Sequence, residues 1–451
     1  MRKILPKGLL ILAKNCPTPL YVVGGSVRDY LANLQSNKRD WDICSPLPAE
    51  QFALVAKENG FQIRAVYRNT GTVKIVDEDG TDYEYSCFRS DKYVRGLHVP
   101  AEIFFTDDMR LDALRRDFTA NAVYYEIQAD TFVDPLNGIP AIKEKRLTTV
   151  APAEKVFGED GLRLMRMARQ AAQLGFTPDN ACLAGARQNA SLIQDISPER
   201  IFTELCAILT ADKKYGVPNA HYHGLRLLQE SGVLAHILPE LAQGEGLAQR
   251  ADFHKYDVLE HSLRAVLYAD ESIRLAALLH DVGKPYCMQK DGNAHAHHEA
   301  GEKLAREILH RLKAPKKTTE RVCELVKWHM YDLNCQTKEN KLRRFFVTHY
   351  EILPELLLLK QADFSACMDD TSLAPTCARW KELLERMKAE KTPFSLKELA
   401  VNGRDLLAVG LPAEELSDIL ENLLLHTAIH PQDNEKPRLQ KLAQSLYKTQ
   451  S

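Results

Sequence analysis

The sequence contains no apolar run long enough to cross a bilayer. Its most apolar N-terminal segment, residues 8–13, ends at Lys14-Asn15 and is far shorter than the roughly 20 residues that a membrane-spanning helix requires. We therefore expect an amphipathic first helix here, and neither a membrane anchor nor a signal peptide.

The ten cysteines include no Cys-x-x-Cys pair and show no regular spacing. In a chain of this size without a signal peptide, this pattern predicts reduced thiols and a cytoplasmic location. Internal repeats and low-complexity linkers are also absent, and a hydrophobic content of 45% supports a buried core and argues against disorder. The length of 451 residues predicts two to four domains. The formal charge of −2 neither favours nor excludes a polyanionic partner, because local charge patches decide such binding.

The chain is organised around a glycine pair near its N-terminus. The apolar residues 20–23 predict a short buried strand, Gly24 and Gly25 interrupt it, and residues 26–34 can begin a helix. Because glycine has no side chain, a phosphate can approach the backbone N–H groups at such a helix start. A simple turn is the alternative interpretation.

A second predicted strand, around residues 41–44, carries Asp40 and Asp42. Residues two apart on a strand point to the same face, so these carboxylates repel each other unless a cation lies between them, and Mg²⁺ favours such ligands. Asp-x-Asp is also common on solvated strand ends. In this order, however, strand, Gly-Gly, helix and Asp-x-Asp resemble the nucleotidyltransferase head shared with DNA polymerase beta.

A helix and three strands complete a predicted mixed sheet with helices on one side. The pattern predicts a helix at residues 51–59 and strands at residues 62–66, 72–76 and 82–88, with a hairpin turn at Asp79-Gly80. Glu84 on the last strand is a candidate third catalytic carboxylate. An outward-facing glutamate on the sheet is the alternative.

Residues 86–100 carry several basic side chains with little periodicity, which predicts a mobile basic loop. These side chains are Arg89, Lys92, Arg95 and His98. The segment after the loop contains Arg115-Arg116-Asp117, and an arginine beside a metal-bound triphosphate can make fork-shaped contacts to phosphate. A surface helix is the alternative. Residues 134–138 predict a turn that closes the head near residue 145.

A helical period begins near residue 157. Arg163, Arg166 and Arg169 are spaced by three, so they line one face of this helix. Asp160 precedes Arg163 by three residues, and an ordinary intrahelical ion pair is the alternative to a ligand-binding role.

Five motifs in succession resemble the class II tRNA nucleotidyltransferase (CCA-adding enzyme) and bacterial poly(A) polymerase family. They are GGSVRD at 24–29, DWD at 40–42, RRDFTANA at 115–122, EDGLR at 159–163 and SPERI at 197–201, and the match covers roughly residues 20–240. The resemblance implies that Asp40 and Asp42 bind Mg²⁺ and that Gly24, Gly25 and Arg28 bind the triphosphate. It also implies that Arg116 and Asp117 contact the sugar and phosphates.

In that family the EDGLR motif acts as a protein template. Asp160 and Arg163 would then pair with the base edges of CTP and ATP, with Arg166 and Arg169 on the same nucleotide-binding face. A carboxylate accepts from the exocyclic N–H₂ group that both C and A carry, while arginine donates to ring nitrogens or a carbonyl. G and U present the wrong groups. The segment 197–201 would brace this helix.

The basic loop departs from the family, which often has Arg-His-Pro where this chain has residues 95–100. A loop is nonetheless present, and its loss marks the relatives that add only C. The resemblance therefore implies complete CCA addition.

A second constellation of histidines and aspartates follows, each at the end of an apolar helical stretch. Its members are His261, His280, Asp281, His297, His298, His329 and Asp363. A single buried histidine is usually an ordinary core residue. Imidazole and carboxylate groups that converge from several helices instead suit a transition-metal or mixed site.

This constellation resembles the HD phosphohydrolase domain. The resemblance implies His261, His280, Asp281 and Asp363 as the shared ligands, with His297 and His329 as the extra ligands of two-metal versions. His297 is preferred to His298 because the family's glycine lies four residues on, here Gly301. The implied metal is Mn²⁺, Ni²⁺, Co²⁺ or Fe²⁺. The implied substrates are phosphomonoesters or cyclic phosphodiesters, including RNA 2′,3′-cyclic ends, and a degenerate scaffold domain is the alternative.

Together these patterns predict an α+β protein: a polymerase-beta-like head (1–145), a helical neck and body (146–250), an HD domain (251–370) and a helical tail (371–451). The predicted function is template-independent addition or repair of the 3′-terminal CCA of tRNA from CTP and ATP, with release of pyrophosphate. The tRNA 3′ end is the expected partner, without a membrane or an obligate protein partner. The alternatives are an enzyme that adds only A, a poly(A) polymerase, and a phosphohydrolase whose head merely binds RNA. Intact Asp40 and Asp42 argue against the last.

Overall fold

The computed structural model describes residues 1–35, 40–93 and 100–450. The chain divides into two compact units, Met1–Gln243 with His310–Ala314 and Gly244–Leu309 with Pro315–Ser451. In the described residues no helix combines the length and the apolar character that crossing a membrane requires. The finer division into four domains stays a prediction. Residues 94–99, which include Arg95 and His98 of the basic segment, lie outside the described residues.

The strands all lie in the first unit, and seven of them form one mixed sheet. In chain order the strands are β1 (Tyr21–Val23), β2 (Trp41–Ser45), β3 (Gln62–Tyr67), β4 (Thr72–Val76), β5 (Asp82–Cys87), β6 (Arg89–Lys92), β7 (Glu102–Phe105), β8 (Tyr124–Glu126), β9 (Thr131–Val133), β10 (Arg146–Leu147) and β11 (Thr177–Pro178). The sheet order is β3-β4-β5-β2-β1-β8-β9, in which β2 and β5 are parallel and the other neighbours antiparallel. The predicted strands of the head are confirmed to within two residues at each end.

The helices of the first unit surround this sheet and continue beyond it. They are α1 (Lys7–Asn15), α2 (Gly25–Leu31), α3 (Ala49–Glu58), α4 (Met109–Leu114), α5 (Gly138–Lys143), α6 (Ala153–Glu159), α7 (Leu162–Leu174), α8 (Asn180–Asn189), α9 (Pro198–Leu209), α10 (Ala211–Tyr215), α11 (Ala220–Glu230), α12 (Val233–Ile237) and α13 (Pro239–Ala242). The amphipathic first helix is confirmed, because α1 buries Leu9, Leu12 and Ala13.

Large aromatic side chains make up much of the core of the head. Helix α3 packs against β3, β4 and β5, where Phe52 stacks on Tyr85. On the other part of the sheet, Tyr124 meets Tyr21 and Phe88 edge to face, an arrangement that aromatic pairs favour. These rings pack around the interior strands β1 and β2, which carry the glycine turn and Asp42.

The prediction of a loop throughout residues 86–100 is wrong at its start. Arg89–Lys92 forms β6, which pairs antiparallel with β7 in a two-stranded ribbon. Lys92 lies opposite Glu102, and their side chains form an ion pair of 3.1 Å. Such cross-strand pairs stabilise a ribbon without the apolar alternation by which a strand is normally predicted.

The second unit is helical throughout its described residues. Its helices are α14 (Val258–Tyr268), α15 (Arg274–Leu279), α16 (Gly283–Asp291), α17 (His297–Arg311), α18 (Lys316–Trp328), α19 (Glu339–Thr348), α20 (Leu353–Met368), α21 (Pro375–Ala389), α22 (Gly403–Leu407), α23 (Leu416–Thr427) and α24 (Lys436–Gln450). With the mixed sheet of the first unit, this confirms the predicted α+β class.

Candidate active sites

A glycine turn joins β1 to α2 beside the acidic strand β2. Val23, the last residue of β1, pairs in register with Asp42 of β2. Gly24 follows with a φ of +78°, a conformation that residues with a side chain rarely adopt. A Cβ atom at Gly24 would also lie only 3.0 Å from Asp42 Oδ2. The sequence therefore places the N–H groups at the start of α2 next to a carboxylate.

Three carboxylates come together on this part of the sheet. Asp42 pairs in parallel register with Glu84 of β5, and Asp40 lies two residues earlier, just before β2. Burial raises the pKa of Asp42 to about 6; Arg116 opposes this shift, and Glu84 and Asp40 add to it. A divalent cation would relieve that repulsion, so the residues present fit a metal.

Of the three carboxylates, Glu84 has the weakest structural support as a metal ligand. The Glu84 side chain is 53% exposed and lies 3.4 Å from Lys74 Nζ. In the part of the chain that the structure describes, sets of three metal-ligand atoms within 4.8 Å of one another occur in the second unit and not at Asp40, Asp42 and Glu84. The structure thus places Glu84 beside Asp42 without closing a compact ligand set.

A cavity of about 430 Å³ opens beside the turn and brings most of the predicted head residues together. Gly24, Gly25, Arg28, Asp42, Arg116, Asp117, Asp160, Arg163, Arg166 and Arg169 line it, whereas Asp40 and Glu84 do not. Further lining residues that sequence reasoning missed include Arg89, Asp91, Tyr93, Arg200 and Lys214. Only their charged or aromatic character could have marked them, because none belongs to the motifs used for the assignment of ligand roles.

Arg28 and Asp117 are buried and form part of one polar network. Arg28 Nη2 lies 2.7 Å from Asp29 Oδ1, and Arg28 Nη1 donates to Asn121 at 2.7 Å. Asn121 in turn donates to Asp117, which also accepts from Arg166 Nη2 at 2.6 Å. Burial alone would raise the pKa of Asp117, but Arg166 and hydrogen bonds hold it well below its usual range. Asp117 is therefore a fixed anion that orients its neighbours.

A second buried carboxylate, that of Asp112, holds Arg116 in place. Its Nη2 lies 3.0 Å from Asp112 Oδ2, and its guanidinium lies over the ring of Tyr124 at 5.4 Å from the centroid. Arg115 binds the other oxygen of Asp112 at 2.8 Å. These contacts hold the Arg115–Asp117 segment at the cavity wall.

Asp160 and Arg163 lie at the junction of α6 and α7. Asp160 is extended between the two helices, and its Oδ1 accepts from the N–H of Leu162. Arg163 is 5% exposed and donates to Glu159 Oε2 at 2.9 Å and to the carbonyls of Val156 and Arg115. The alternative of an Asp160–Arg163 ion pair is therefore wrong, because the carboxylate partner of Arg163 is Glu159. Tyr93 covers the guanidinium at 5.5 Å from its ring centroid.

In the second unit the predicted HD residues form a single buried cluster around Asp281. Asp281 Oδ2 lies 3.3 Å from His261 Nε2 and 3.3 Å from His280 Nε2. Its Oδ1 lies 3.1 Å from His297 Nε2 and 3.7 Å from His329 Nε2. Asp363 Oδ1 lies 3.0 Å from His261 Nε2. Asp281 thus joins two ligand groups, one with His261, His280 and Asp363 and the other with His297 and His329.

The helices place these ligands in a way that only partly matches expectation. His280 and His329 follow the ends of α15 and α18, and His297 begins α17. His261 and Asp363 lie inside α14 and α20, so the expectation that every ligand ends a helical stretch is wrong for these two. His298 lies outside the cluster.

Hydrogen bonds at the far side of the rings decide which nitrogen faces the cluster. The Nδ1–H groups of His280, His297 and His329 donate to the carbonyls of Ala277, Ala294 and Val326 at 2.7, 2.8 and 2.6 Å. A carbonyl can only accept, so each Nδ1 carries the proton and a neutral ring turns the lone pair of Nε2 towards the carboxylates. Lone pairs of nitrogen and oxygen at 3.1–3.7 Å in a buried site require protons or cations between them. The residues present therefore fit metal ions.

The charges of the cluster are strongly coupled. Burial would raise the pKa of Asp281, but His280 and Lys284 hold it well below its usual range. Lys284 Nζ lies 2.6 Å from Asp281 Oδ2. Burial lowers the pKa of His329 to about 4, helped by His280 and His297 and opposed by Asp281. Burial would also lower the pKa of His280, but Asp281 and Asp363 raise it to about 10. Two carboxylates and four imidazoles thus face one another, and once His280 gives up its proton they form the donor set of divalent transition metals.

Sequence reasoning missed two residues beside this cluster. His254 and Cys367 each place a ligand atom within 4.8 Å of one on His261. Cys367 lies one helical turn after Asp363 on α20, a spacing that could have marked it. His254 precedes α14 and belongs to no helical pattern.

A larger cleft of about 930 Å³ leads to the HD cluster. Asp281, His297 and Asp363 line it together with apolar residues such as Leu247, Phe253, Met330 and Phe364. Beside the cluster, Gly283 allows α16 to approach the start of α17 closely, because a Cβ atom there would lie 2.1 Å from the carbonyl oxygen of His297.

Comparison with protein-family models finds three matches along the chain. The poly A polymerase head domain matches residues 20–148, the probable RNA and SrmB-binding site of polymerase A matches residues 175–244, and the HD domain matches residues 257–363.

The chain is also similar to complete proteins. It is 32% identical to an A-adding tRNA nucleotidyltransferase of Deinococcus radiodurans over 90% of this chain and 91% of that protein. It is 32% identical to a CC-adding tRNA nucleotidyltransferase of Thermus thermophilus over 77% of this chain and 76% of that protein. Among solved structures, the CCA-adding enzyme of Bacillus stearothermophilus in complex with CTP is similar with a TM-score of 0.69 and 26% identity, over 98% of this chain and 97% of that one.

Proposed function

Because the chain belongs to the tRNA nucleotidyltransferase family, with a poly A polymerase head and an HD domain, we propose that it adds or repairs the 3′-terminal CCA of tRNA. CTP and ATP are the substrates and pyrophosphate is released. The observation that carries this proposal is one cavity lined at once by the glycine turn, by Asp42 and by the Asp160–Arg163 pair. A triphosphate, a metal and a base can thus be held together.

Different residues of the cavity bind different parts of the nucleotide. The N–H groups after Gly24 and the guanidinium of Arg28 bind the triphosphate, while Arg116 and Asp117 contact the sugar and phosphates. Asp160 accepts from the exocyclic N–H₂ of C or A, and Arg163 donates to the neighbouring acceptor. Mg²⁺ held by Asp40 and Asp42, with Glu84 nearby, would supply charge neutralisation for attack of the RNA 3′-hydroxyl on the α-phosphate.

Addition of A alone is the second candidate function. The A-adding relative covers 90% of this chain at 32% identity, as similar as the CC-adding relative. Overall sequence identity therefore does not decide whether the product is a single A, two C residues or the complete CCA end. The segment at residues 86–100, whose loss marks relatives that add only C, argues against addition of C alone and is compatible with both complete CCA addition and addition of A alone.

The second unit is proposed to be a phosphohydrolase for phosphomonoesters or cyclic phosphodiesters, including RNA 2′,3′-cyclic ends. Its support is the set of Nε2 atoms that face Asp281 and Asp363. Mn²⁺, Ni²⁺, Co²⁺ or Fe²⁺ held there would supply an activated water and a stabilised leaving oxygen. A cytoplasmic location accords with ten cysteines that are all free thiols.

Nucleotide incorporation by an acidic-strand variant tests the head proposal. With tRNA that lacks its 3′ end and labelled CTP or ATP, the wild type should incorporate both nucleotides with Mg²⁺, and Asp42→Asn should lose at least a hundredfold in rate while binding tRNA normally. Asp79→Asn, on the exposed turn between β4 and β5, is the matched control. Incorporation by Asp42→Asn within tenfold of the wild type would refute the metal role.

A further inference from the structure

The cations around the head cavity differ in whether a carboxylate already neutralises them. Among the residues that the structure describes, nine cationic side chains line it. Seven are ion-paired: Arg28 with Asp29, Arg89 with Asp91, Arg115 and Arg116 with Asp112, Arg163 with Glu159, Arg166 with Asp117 and Arg169 with Glu204. Within residues 1–35, 40–93 and 100–450, no carboxylate lies within 4.0 Å of the charged atoms of Arg200 or Lys214. These two cations retain their charge for a ligand.

Lys214 is held at the triphosphate end of the cavity. The neighbouring Tyr215 hydroxyl donates to Asp29 Oδ2 at 2.6 Å and accepts from Arg28 Nη2 at 3.3 Å. These bonds fasten α10 to α2, the helix that begins at the glycine turn. After burial, Arg28 is the strongest influence that lowers the pKa of Lys214, and Asp40 also acts on it. Asp29 and Asp40 only partly offset the repulsion between these two cations, and an anion bound between them would offset it further.

The position also separates Lys214 from the base-reading residues. Asp160 accepts from the N–H of Leu162, and Arg163 donates to the carbonyl of Arg115. The charged groups that act most strongly on Lys214 are instead Arg28, Asp29, Arg169 and Asp40. A lysine on a flexible stem contacts phosphate as a point charge and does not need the fixed geometry of a fork. Its side chain is exposed to the cavity, so a ligand can reach it.

We propose that Lys214 binds the β- and γ-phosphates of the incoming nucleotide and, after transfer, the pyrophosphate product. This subsite rests on the proposed nucleotidyl transfer in the head. It adds a contact from the helical region after residue 146 to those made by the glycine turn and Arg28. The pyrophosphate leaving group is then held by the glycine turn and Arg28 and also by Lys214.

Binding of magnesium pyrophosphate, measured by calorimetry on the full chain, tests the subsite without requiring turnover. Lys214→Ala should weaken pyrophosphate binding and raise the KM for both CTP and ATP by about tenfold, roughly the loss of one charge-assisted contact. Base choice and the KM for tRNA should stay as in the wild type, and Lys214→Arg should restore most of the binding. Lys213→Ala, an exposed neighbour that does not line the cavity, is the control.

Two results would overturn the proposal. One is pyrophosphate binding by Lys214→Ala within twofold of the wild type. The other is a rise in the KM for tRNA with unchanged pyrophosphate binding, which would make Lys214 a contact of the RNA primer. A wild type that binds pyrophosphate but adds no nucleotide would instead contradict the proposed function, and the effect of Lys214→Ala on binding would still decide the subsite.

Discussion

Individual charged residues around the head cavity do two jobs, since they line the ligand space and also hold one another in place. Asp117 fixes Arg166 and Asn121, and Arg163 is held by Glu159 and two carbonyls. Removing one partner of such a buried pair costs about 3–5 kcal/mol, so a simple truncation mixes folding with binding. Substitutions that keep the local hydrogen bond are the more informative ones.

Asp160→Asn is such a substitution for the template hypothesis. The amide oxygen can still accept from the N–H of Leu162, but its amide nitrogen becomes a donor where the carboxylate could only accept. We expect discrimination against GTP and UTP to fall by ~1–3 kcal/mol, or about 5- to 150-fold, with little change in melting temperature. The measurement is the ratio of kcat/KM values for the four nucleotides. Rejection of GTP and UTP as strict as in the wild type would remove Asp160 from base selection.

At the residue scale, the sequence was informative wherever a motif kept its members close together. The order of GGSVRD, DWD and EDGLR led directly to Gly24, Asp42 and Asp160, which line one cavity. Lys214 and His254 were missed because they approach their sites from segments far away in the chain. Only the folded structure reveals that Tyr215 fastens α10 to α2.

At the scale of elements, one short helix supports the Arg115–Asp117 segment. Asp112 on α4 is fully buried and binds Arg115, Arg116 and the hydroxyl of Tyr124. Burial alone would raise its pKa, but Arg116, Arg115 and the Tyr124 hydrogen bond lower it to about 2. A carboxyl whose pKa is lower in the folded than in the unfolded chain stabilises the fold above its unfolded pKa, and the stabilisation is lost as the pH falls through the folded pKa.

Asp112→Asn should therefore destabilise the protein by about 2–4 kcal/mol at neutral pH. The difference in stability from the wild type should shrink as the pH falls from about 4 to about 2, because the wild-type carboxyl is then protonated and uncharged, like the asparagine amide. Unfolding by heat or denaturant across this pH range measures it, with Asp79→Asn as the exposed control. A difference that stays constant down to pH 2 would show that Asp112 is not held as an anion.

Elements with a regular apolar pattern were predicted well, and those held by pairing between chain segments were not. Strand β4 has the predicted bounds, because Val73 and Ile75 alternate with polar residues in the sequence. Strand β6 has the sequence Arg-Ser-Asp-Lys, whose polar residues give no strand signal. It is held by pairing with β7, where Lys92 lies opposite Glu102. The expectation that His261 and Asp363 lie at helix ends is wrong because α14 and α20 continue past them.

At the scale of the whole molecule, the two candidate active sites share no residue. The head cavity lies in the first compact unit and the HD cluster in the second. Their donor sets differ as well, with carboxylates beside the glycine turn and imidazoles around Asp281. Mg²⁺ suits the former and Mn²⁺, Ni²⁺ or Co²⁺ the latter.

The two activities should therefore be separable by mutation. His280→Ala combined with Asp281→Ala should abolish hydrolysis of 2′,3′-cyclic and 2′-phosphate substrates and lower the bound transition metal, while nucleotide addition to tRNA persists within about twofold. The double variant leaves Lys284 without its Asp281 partner, so its melting temperature is measured together with both activities. Metal content by elemental analysis gives a readout independent of activity. A wild type that binds no transition metal and hydrolyses none of these substrates would leave this domain as a scaffold.

The central claim is that one enzyme completes the whole CCA end, and the most direct test compares three tRNA substrates. These end before the first C, after the first C and after both C residues, and the wild-type protein receives CTP, ATP or both with Mg²⁺. Mass analysis of the products should show two C and one A added to the first, one C and one A to the second, and a single A to the third. Addition of A to the third substrate alone, or of C without a final A, would contradict complete CCA addition.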